Sequence, residues 1–336
     1  MLRDDIQERL DNVSKPKGSL GFLEEIAMKI ALIQGKIIPE LPRRKAVFVF
    51  AGDHGIVEEN VSAYPKDVTP EMVENFLHGG AAINVFSRHT GSDVYVVDAG
   101  VDHDFSATPG LIGKKVGYGS HNFAKGPAMS EEEAVLCIRY GRELADQAVH
   151  DGVELAAIGD MGIGNTATAT AVIAALGCDL DSIVDIGTMI PPEQLVHKKE
   201  VIKKALQLHR PFADPMDVLR KVGSYCIGEM AGFVLGFTAA KRPVVIDGYP
   251  TSAGAFLACR IDSSVTDYLF AGHRSKVKGH DVVLREMGLR PILDLEMRLG
   301  EGTGAVLSFS IIEAAIKMMR EMATFDSAGI TSGNEQ

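Results

Sequence analysis

Glu154-Leu155-Ala156-Ala157-Ile158-Gly159-Asp160-Met161-Gly162-Ile163-Gly164-Asn165-Thr166-Ala167 reads as a strand running into a glycine-rich turn and then into an Ala-rich helix. Glu154 to Ile158 is the strand, its small and apolar residues suiting a sheet covered by helices. Gly162 and Gly164 let backbone amides come close to an anion, and the N-terminus of the following helix adds positive potential. A phosphate is the natural guest; a tight turn without a ligand fits the pattern too. The segment also matches the dinucleotide fingerprint G-x-G-x-x-A, with Asp185 about 20 residues on as a candidate ribose acid. It does not fall in the first strand–helix unit of the chain, where a dinucleotide fold carries that fingerprint.

Units of the same kind recur on both sides. Ala46–Phe50, Asp93–Asp98, Ser182–Ile186 and Pro243–Ile246 read as further strands. Thr69-Pro70-Glu71 reads as a helix start with Thr69 as N-cap, Val73, Phe76, Leu77 and Gly80 lying on one face. Ser130–Glu133 is a capping box before the stripe Ala134, Cys137, Ile138, Gly141, Leu144 and Ala148. This alternation predicts an α/β fold with a mostly parallel sheet and covering helices. Near the chain ends, Leu20, Leu23, Ile26, Ala27, Ile30 and Ile33 form one apolar stripe closed by Gly35. Ala305, Phe309, Ile312, Ile316, Met319 and Ala323 form another. Neither belongs to a crossover, so a small helical unit built from both ends is expected.

Bulk properties remove several function classes. A net charge of −11 with no long Lys/Arg run argues against nucleic acid as a partner. The densest basic stretch, His197-Lys198-Lys199 with Lys203-Lys204, reads as a solvated helix face. No apolar run approaches the roughly 20 residues that span a bilayer. Met1–Asp11 has four acids and two arginines, unlike a signal peptide, so the expected location is the cytoplasm. Cys137, Cys178, Cys226 and Cys259 are widely spaced and read as reduced core thiols. No histidine sits at metal-ligand spacing with two partners, so no metal is expected.

Four more turns carry polar groups suited to chemistry. In Leu299-Gly300-Glu301-Gly302-Thr303-Gly304 a glutamate stands between glycines at the start of an apolar helix. It is either a solvent-exposed turn acid or a general base held against a ligand. Asp53-His54 follows the first strand as either a catalytic pair or a loop-stiffening one. Asp247–Ala253 follows another strand. His273-Arg274-Ser275, with Lys278 and His280, offers donors for phosphate or carboxylate.

Taken together, Asp11–Leu23, Phe50–Gly55, Val61–Thr69, Gly79–Asn84, Val97–Val101, Met161–Thr166, Asp247–Ala253, Leu293–Ala305 and Glu321–Gly329 resemble, in order, the nicotinate-nucleotide–dimethylbenzimidazole phosphoribosyltransferase family. The resemblance covers about residues 5 to 330. It implies a large domain with a Rossmann-like parallel sheet and flanking helices (residues 41–304), and a small helical domain from both chain ends (1–40 and 305–336). It also implies a dimer and no metal or redox cofactor. The implied reaction moves phosphoribose from nicotinate mononucleotide to an aromatic base, inverting C1′, for the nucleotide loop of cobamides. Carried over residue by residue, Glu301 is the general base, Gly162, Ile163, Gly164 and Asn165 form the phosphate turn, and Lys198 and Ser275 are further nucleotide contacts.

The chain departs from the family pattern at three loops. Asp160 stands where members have Glu. Gly187-Thr188-Met189-Ile190-Pro191-Pro192 replaces Gly-Thr-Gly followed by acids. Lys276-Val277-Lys278 replaces Ala-Glu-Pro after His273-Arg274-Ser275. Asp160 is accordingly a second catalytic carboxylate to test, acting through a water on a phenolic base. Two other readings stay open: a catalytically silent subunit of a heterodimer with a paralogue, and a nicotinamide-dependent oxidoreductase resting on the fingerprint alone.

Overall fold

A computed structural model describes residues 1–106, 108–185 and 192–331. Strands β1 (Lys45–Gly52), β2 (Asp93–Gly100), β3 (Leu111–Gly113), β4 (Leu155–Met161), β5 (Val244–Ile246), β6 (Leu269–His273) and β7 (Pro291–Leu293) form one sheet. Its order is β3-β2-β1-β4-β5-β6-β7, with every pairing parallel. The order reverses between β1 and β4, where Phe50 pairs with Asp160 and Ala51 with Met161. Strand order that switches direction opens a crevice at the carboxyl ends of the two strands.

Alternate residues of β1 to β6 enter two cores. Ala46, Phe48 and Phe50 of β1 join one, and Val47, Val49 and Ala51 the other. The second core is covered by helices α1 (Leu2–Asn12), α2 (Phe22–Gln34), α3 (Val68–Leu77) and α4 (Ala82–Thr90). The first is covered by α5 (Glu131–His150), α6 (Asn165–Ala175), α7 (Leu180–Ile183), α8 (Pro192–His209), α9 (Pro215–Val222), α10 (Tyr225–Ala239), α11 (Tyr249–Ile261) and α12 (His280–Glu286). Helix α13 (Thr303–Glu321) returns to the second face beside α2. The chain ends are tied together: Arg9 donates to the Met319 carbonyl at 2.7 Å and the Met322 carbonyl at 3.2 Å, and Val13 bridges to Thr324. The α13 stripe Ala305, Phe309, Ile312, Ile316 and Met319 is buried there against both α2 and the sheet, while Ala323 is exposed.

Four local expectations change. The strand expected over Ser182–Ile186 is absent from its described part, Ser182–Asp185: Leu180–Ile183 is a single helical turn, because the Asp179 side chain accepts the Ser182 amide and nucleates it. Ile186 and the departing loop Gly187–Pro191 lie outside the described residues. Asp67, not Thr69, is the N-cap of α3, and the buried Thr69 hydroxyl turns elsewhere. The helix ends at Leu77, so Gly80 is not on its face. Leu20 lies before α2 and is 40% exposed, whereas Gly35 does close that helix in a left-handed conformation. The Ser130–Glu133 capping box forms as expected, and Cys137, Cys178, Cys226 and Cys259 are all free thiols. Among the described residues no helix is long and apolar enough to cross a membrane.

Candidate active site

A cleft of about 330 Å³ opens at the carboxyl ends of β4, β5 and β6. Its walls bring together Asp160, the turn Gly162–Thr166, Asp247, His273, Ser275 and Glu301. Residues from separate motifs therefore meet in one place. A larger groove of about 850 Å³ beside α2 contains none of them.

One wall is the glycine turn. Gly164 is the left-handed N-cap of α6, with φ +91°. The Ile163 amide donates to the Thr69 hydroxyl at 3.2 Å, pinning the turn to α3. Lys198 comes from α8 and is only 1% exposed, so it is not part of a solvated face. Its ammonium donates to the Thr166 hydroxyl at 3.0 Å and the Asp185 carbonyl at 3.3 Å, directly behind the helix start. Burial pulls its pKa down to about 8. A cation behind a helix N-terminus is an anion site by two independent terms.

Beneath the turn lies His54. Its Nδ1 meets the Thr168 hydroxyl at 2.9 Å and its Nε2 lies 3.7 Å from Cys226 Sγ. It does not pair with Asp53, whose Oδ2 accepts the Asp102 amide at 2.8 Å. Gly162 packs so closely here that a Cβ would lie 2.1 Å from the Gly52 carbonyl oxygen. Gly162→Ala is therefore expected to destabilise the fold by about 1–3 kcal/mol. A thermal melt within a degree of wild type would contradict that packing.

The opposite wall carries Glu301, 5% exposed. Its backbone is left-handed at φ +65°, between Gly300 at +93° and Gly302 at +92°. A non-glycine residue held there stores about 1–3 kcal/mol of strain, tolerated where the side chain has work to do. Glu301 Oε2 accepts the Ile83 amide at 3.2 Å, in the first turn of α4. Burial raises its carboxyl pKa; the Ile83 amide opposes this and Asp247 adds to it. A carboxylate so placed holds a proton more readily than one in water, as a general base should.

Asp160, one residue before the end of β4, also lines the cleft. Asn165 donates to its Oδ2 at 2.7 Å, while Oδ1 is buried with no protein partner among the described residues. Burial raises its pKa to about 6. Asp247 is fully buried after β5. Its Oδ1 accepts the amides of Gly304 at 2.8 Å and Ala305 at 3.0 Å, and its Oδ2 that of Gly302 at 3.0 Å. His273 Nδ1 stands 3.4 Å from Asp247 Oδ1. Burial pushes the Asp247 carboxyl up, and His273 and the three amides pull it down.

Ser275 reaches the cleft from the loop after β6. Its amide donates to His280 Nδ1 at 2.8 Å, which leaves His280 Nε2–H to donate to the Ser252 hydroxyl at 3.0 Å. Burial holds both His54 and His280 down to about 3. Their folded pKa values lie below the unfolded value, so the stability they contribute is present above about pH 6.5 and is lost as pH falls toward 3. Neither ring should titrate between pH 8 and 5 in ¹H–¹⁵N spectra of the folded protein; a midpoint near 6.5 for either would contradict the burial.

Asp160, Asn165, Asp247, His273, Ser275 and Glu301 come from turns whose chemistry the sequence singles out, whereas Ser62, Tyr64 and Arg298, which also line the cleft, stand only in stretches that carry the family resemblance. The partners of His54 are not singled out either: Thr168 lies inside an Ala-rich helical run, and Cys226 reads only as a core thiol. The part played by Asp247 is not visible in the sequence, because its partners are amides 55 to 58 residues away. Of the departing residues, Val277 lines the cleft, and Lys278 is engaged by Asp185 through its amide and by the Asp181 carbonyl through its ammonium.

A family model described as "Phosphoribosyltransferase" matches residues 1–330. A nicotinate-nucleotide–dimethylbenzimidazole phosphoribosyltransferase of Geobacter sp. (strain M21) is 52% identical over 328 residues, covering 97% of this chain and 94% of that protein. The protein of that name from Chlorobaculum tepidum is 49% identical, covering 99% of this chain and 95% of that one. The crystal structure of CobT from Thermus thermophilus superposes with a TM-score of 0.96 at 45% identity, covering 99% of both chains.

Proposed function

The chain belongs to the nicotinate-nucleotide–dimethylbenzimidazole phosphoribosyltransferase family, and on that premise we propose that its cleft moves phosphoribose from nicotinate mononucleotide to an aromatic lower-ligand base of a cobamide. The observation that carries the reading is the facing of an anion-binding helix start, backed by Lys198, with the buried carboxylates of Glu301 and Asp160 in one cleft.

Gly162, Ile163, Gly164 and Asn165, with Lys198 behind them and Ser275 beside them, hold the phosphate end. Ile163 serves by shape, since its amide is occupied by Thr69. The C1′–N bond to nicotinate breaks with its electron pair returning to the ring nitrogen. The incoming base forms the new bond through one nitrogen from the opposite face, which inverts C1′. Its other nitrogen becomes acidic as positive charge builds, and Glu301 takes that proton. Positive charge spreading over C1′ and the ring oxygen is favoured beside Glu301 and Asp160. Asp160 acts on a phenolic base through a water.

The same reading divides the chain into a small domain, residues 1–40 and 305–336, and a large one, 41–304. The Arg9 and Val13 ties between the chain ends support it. It also makes the protein a cytoplasmic homodimer. The departures at Met189, Val277 and Lys278 are the one support for a second reading, a silent subunit that works only beside a paralogue. Turnover of the chain alone on nicotinate mononucleotide, with dimethylbenzimidazole, adenine, phenol and p-cresol in turn, decides between them. A benzimidazole is expected to release nicotinate; no release with any base would favour the silent subunit.

A further inference from the structure

Glu301 projects from three consecutive left-handed residues, a backbone that does not hold itself. Within four residues of it, one carboxylate gathers three amides: Asp247 Oδ2 takes Gly302, and Oδ1 takes Gly304 and Ala305. These amides begin α13, so Asp247 also meets the positive end of a 19-residue helix. The clamp is braced in turn. The Asp247 amide donates to the Thr251 hydroxyl at 3.0 Å, that hydroxyl donates to the Gly248 carbonyl at 2.9 Å, and His273 lies against Oδ1. On the other side, the Glu301 carboxylate is held by the first turn of α4.

We propose that Asp247 is a positioning residue for the transfer reaction: by clamping the amides of Gly302, Gly304 and Ala305 it fixes the turn that aims Glu301 into the cleft. The proposal rests on the reading of Glu301 as general base. An asparagine at position 247 has one acceptor oxygen and an NH₂ group. It cannot serve both sides of the clamp, and its NH₂ opposes an amide N–H. The turn then relaxes, Glu301 moves off its aim, and a shift of about 1 Å at a reacting group costs up to about 10²-fold in rate.

The test is a double-mutant cycle on kcat and on KM for nicotinate mononucleotide. Asp247→Asn alone is expected to lower kcat by about 10–100-fold with little change in KM. In a Glu301→Gln background the same change should cost about threefold or less, because there is no base left to aim. Amide exchange at positions 302, 304 and 305 should accelerate while the middle of α13 stays protected. Penalties that multiply in full would overturn the proposal, as would a loss confined to KM or unchanged exchange at those amides. Near-full turnover by Glu301→Gln alone would instead overturn the general-base reading, and the proposal with it. If Asp247→Asn does not fold, Thr251→Val loosens the same aspartate without removing a charge. It must then give a smaller kcat loss that likewise vanishes beside Glu301→Gln.

Discussion

Glu301→Gln is expected to lower kcat by about 10²–10⁴-fold while KM for nicotinate mononucleotide stays within a few-fold of wild type. A benzimidazole N–H is a poor acid until its partner nitrogen attacks C1′. Proton acceptance therefore belongs to the transition state, and its loss falls on kcat. Glutamine keeps an oxygen for the Ile83 amide at the head of α4, so the fold should survive. Glu301→Ala would leave that amide without its partner, which adds about 1–3 kcal/mol of destabilisation and confuses the reading. Glu301→Gly separates the two effects differently: it relieves the left-handed strain at φ +65° while removing the base. Asp160→Asn assayed beside Glu301→Gln on a benzimidazole and on a phenol assigns the two carboxylates. The larger penalty should belong to Glu301 on the benzimidazole. Near-wild-type kcat for Glu301→Gln on both acceptors would remove it as the base.

Lys198→Met is expected to weaken nicotinate mononucleotide binding by about 10–100-fold without weakening the fold. Lys198 is 1% exposed, and burial holds its folded pKa down to about 8. At neutral pH the unfolded chain therefore binds that proton more tightly than the folded one. The stability linked to this lysine is complete only above its unfolded pKa and is lost as pH falls toward 8, a cost of roughly 3 kcal/mol at pH 7. Methionine has a similar volume and no charge, so the melting temperature should hold or rise. The buried cation is retained for the phosphate held on the other side of the helix start that it backs. Affinity of the wild type for the nucleotide should accordingly fall as pH rises through about 8, the direction in which Lys198 loses its proton. The pH dependence should be absent from Lys198→Met. Calorimetric titrations between pH 7 and 9.5 check both, and equal affinity of the two proteins at pH 7 would contradict the assignment.

How much of this was legible in the sequence follows from local physics. β1, β2, β4 and β5 are readable because each is a dense run of branched or small apolar residues. β6, Leu269–His273, has no β-branched residue, and β7 is three residues beginning with Pro291. Both owe their form to neighbours already in the sheet. Ser182–Ile186 misleads in the other direction: its β-branched content favours a strand, and the Asp179 cap overrides it. The glycine turn and Glu301 are legible because their local pattern is rare. Lys198 is not, since a basic run on a helix looks solvated whichever face is buried; only the family resemblance points to it. The Asp247 clamp leaves no mark in the sequence, because its donors are backbone amides, and any sequence supplies those.

The most direct measurement incubates the chain alone with nicotinate mononucleotide and dimethylbenzimidazole and reads the products by ¹H and ³¹P NMR. Free nicotinate and a benzimidazole ribotide 5′-phosphate are expected in equal amounts, with the α configuration at C1′. Ribose 5-phosphate in place of the ribotide, a β-configured product, or no nicotinate at all would contradict the proposed transfer.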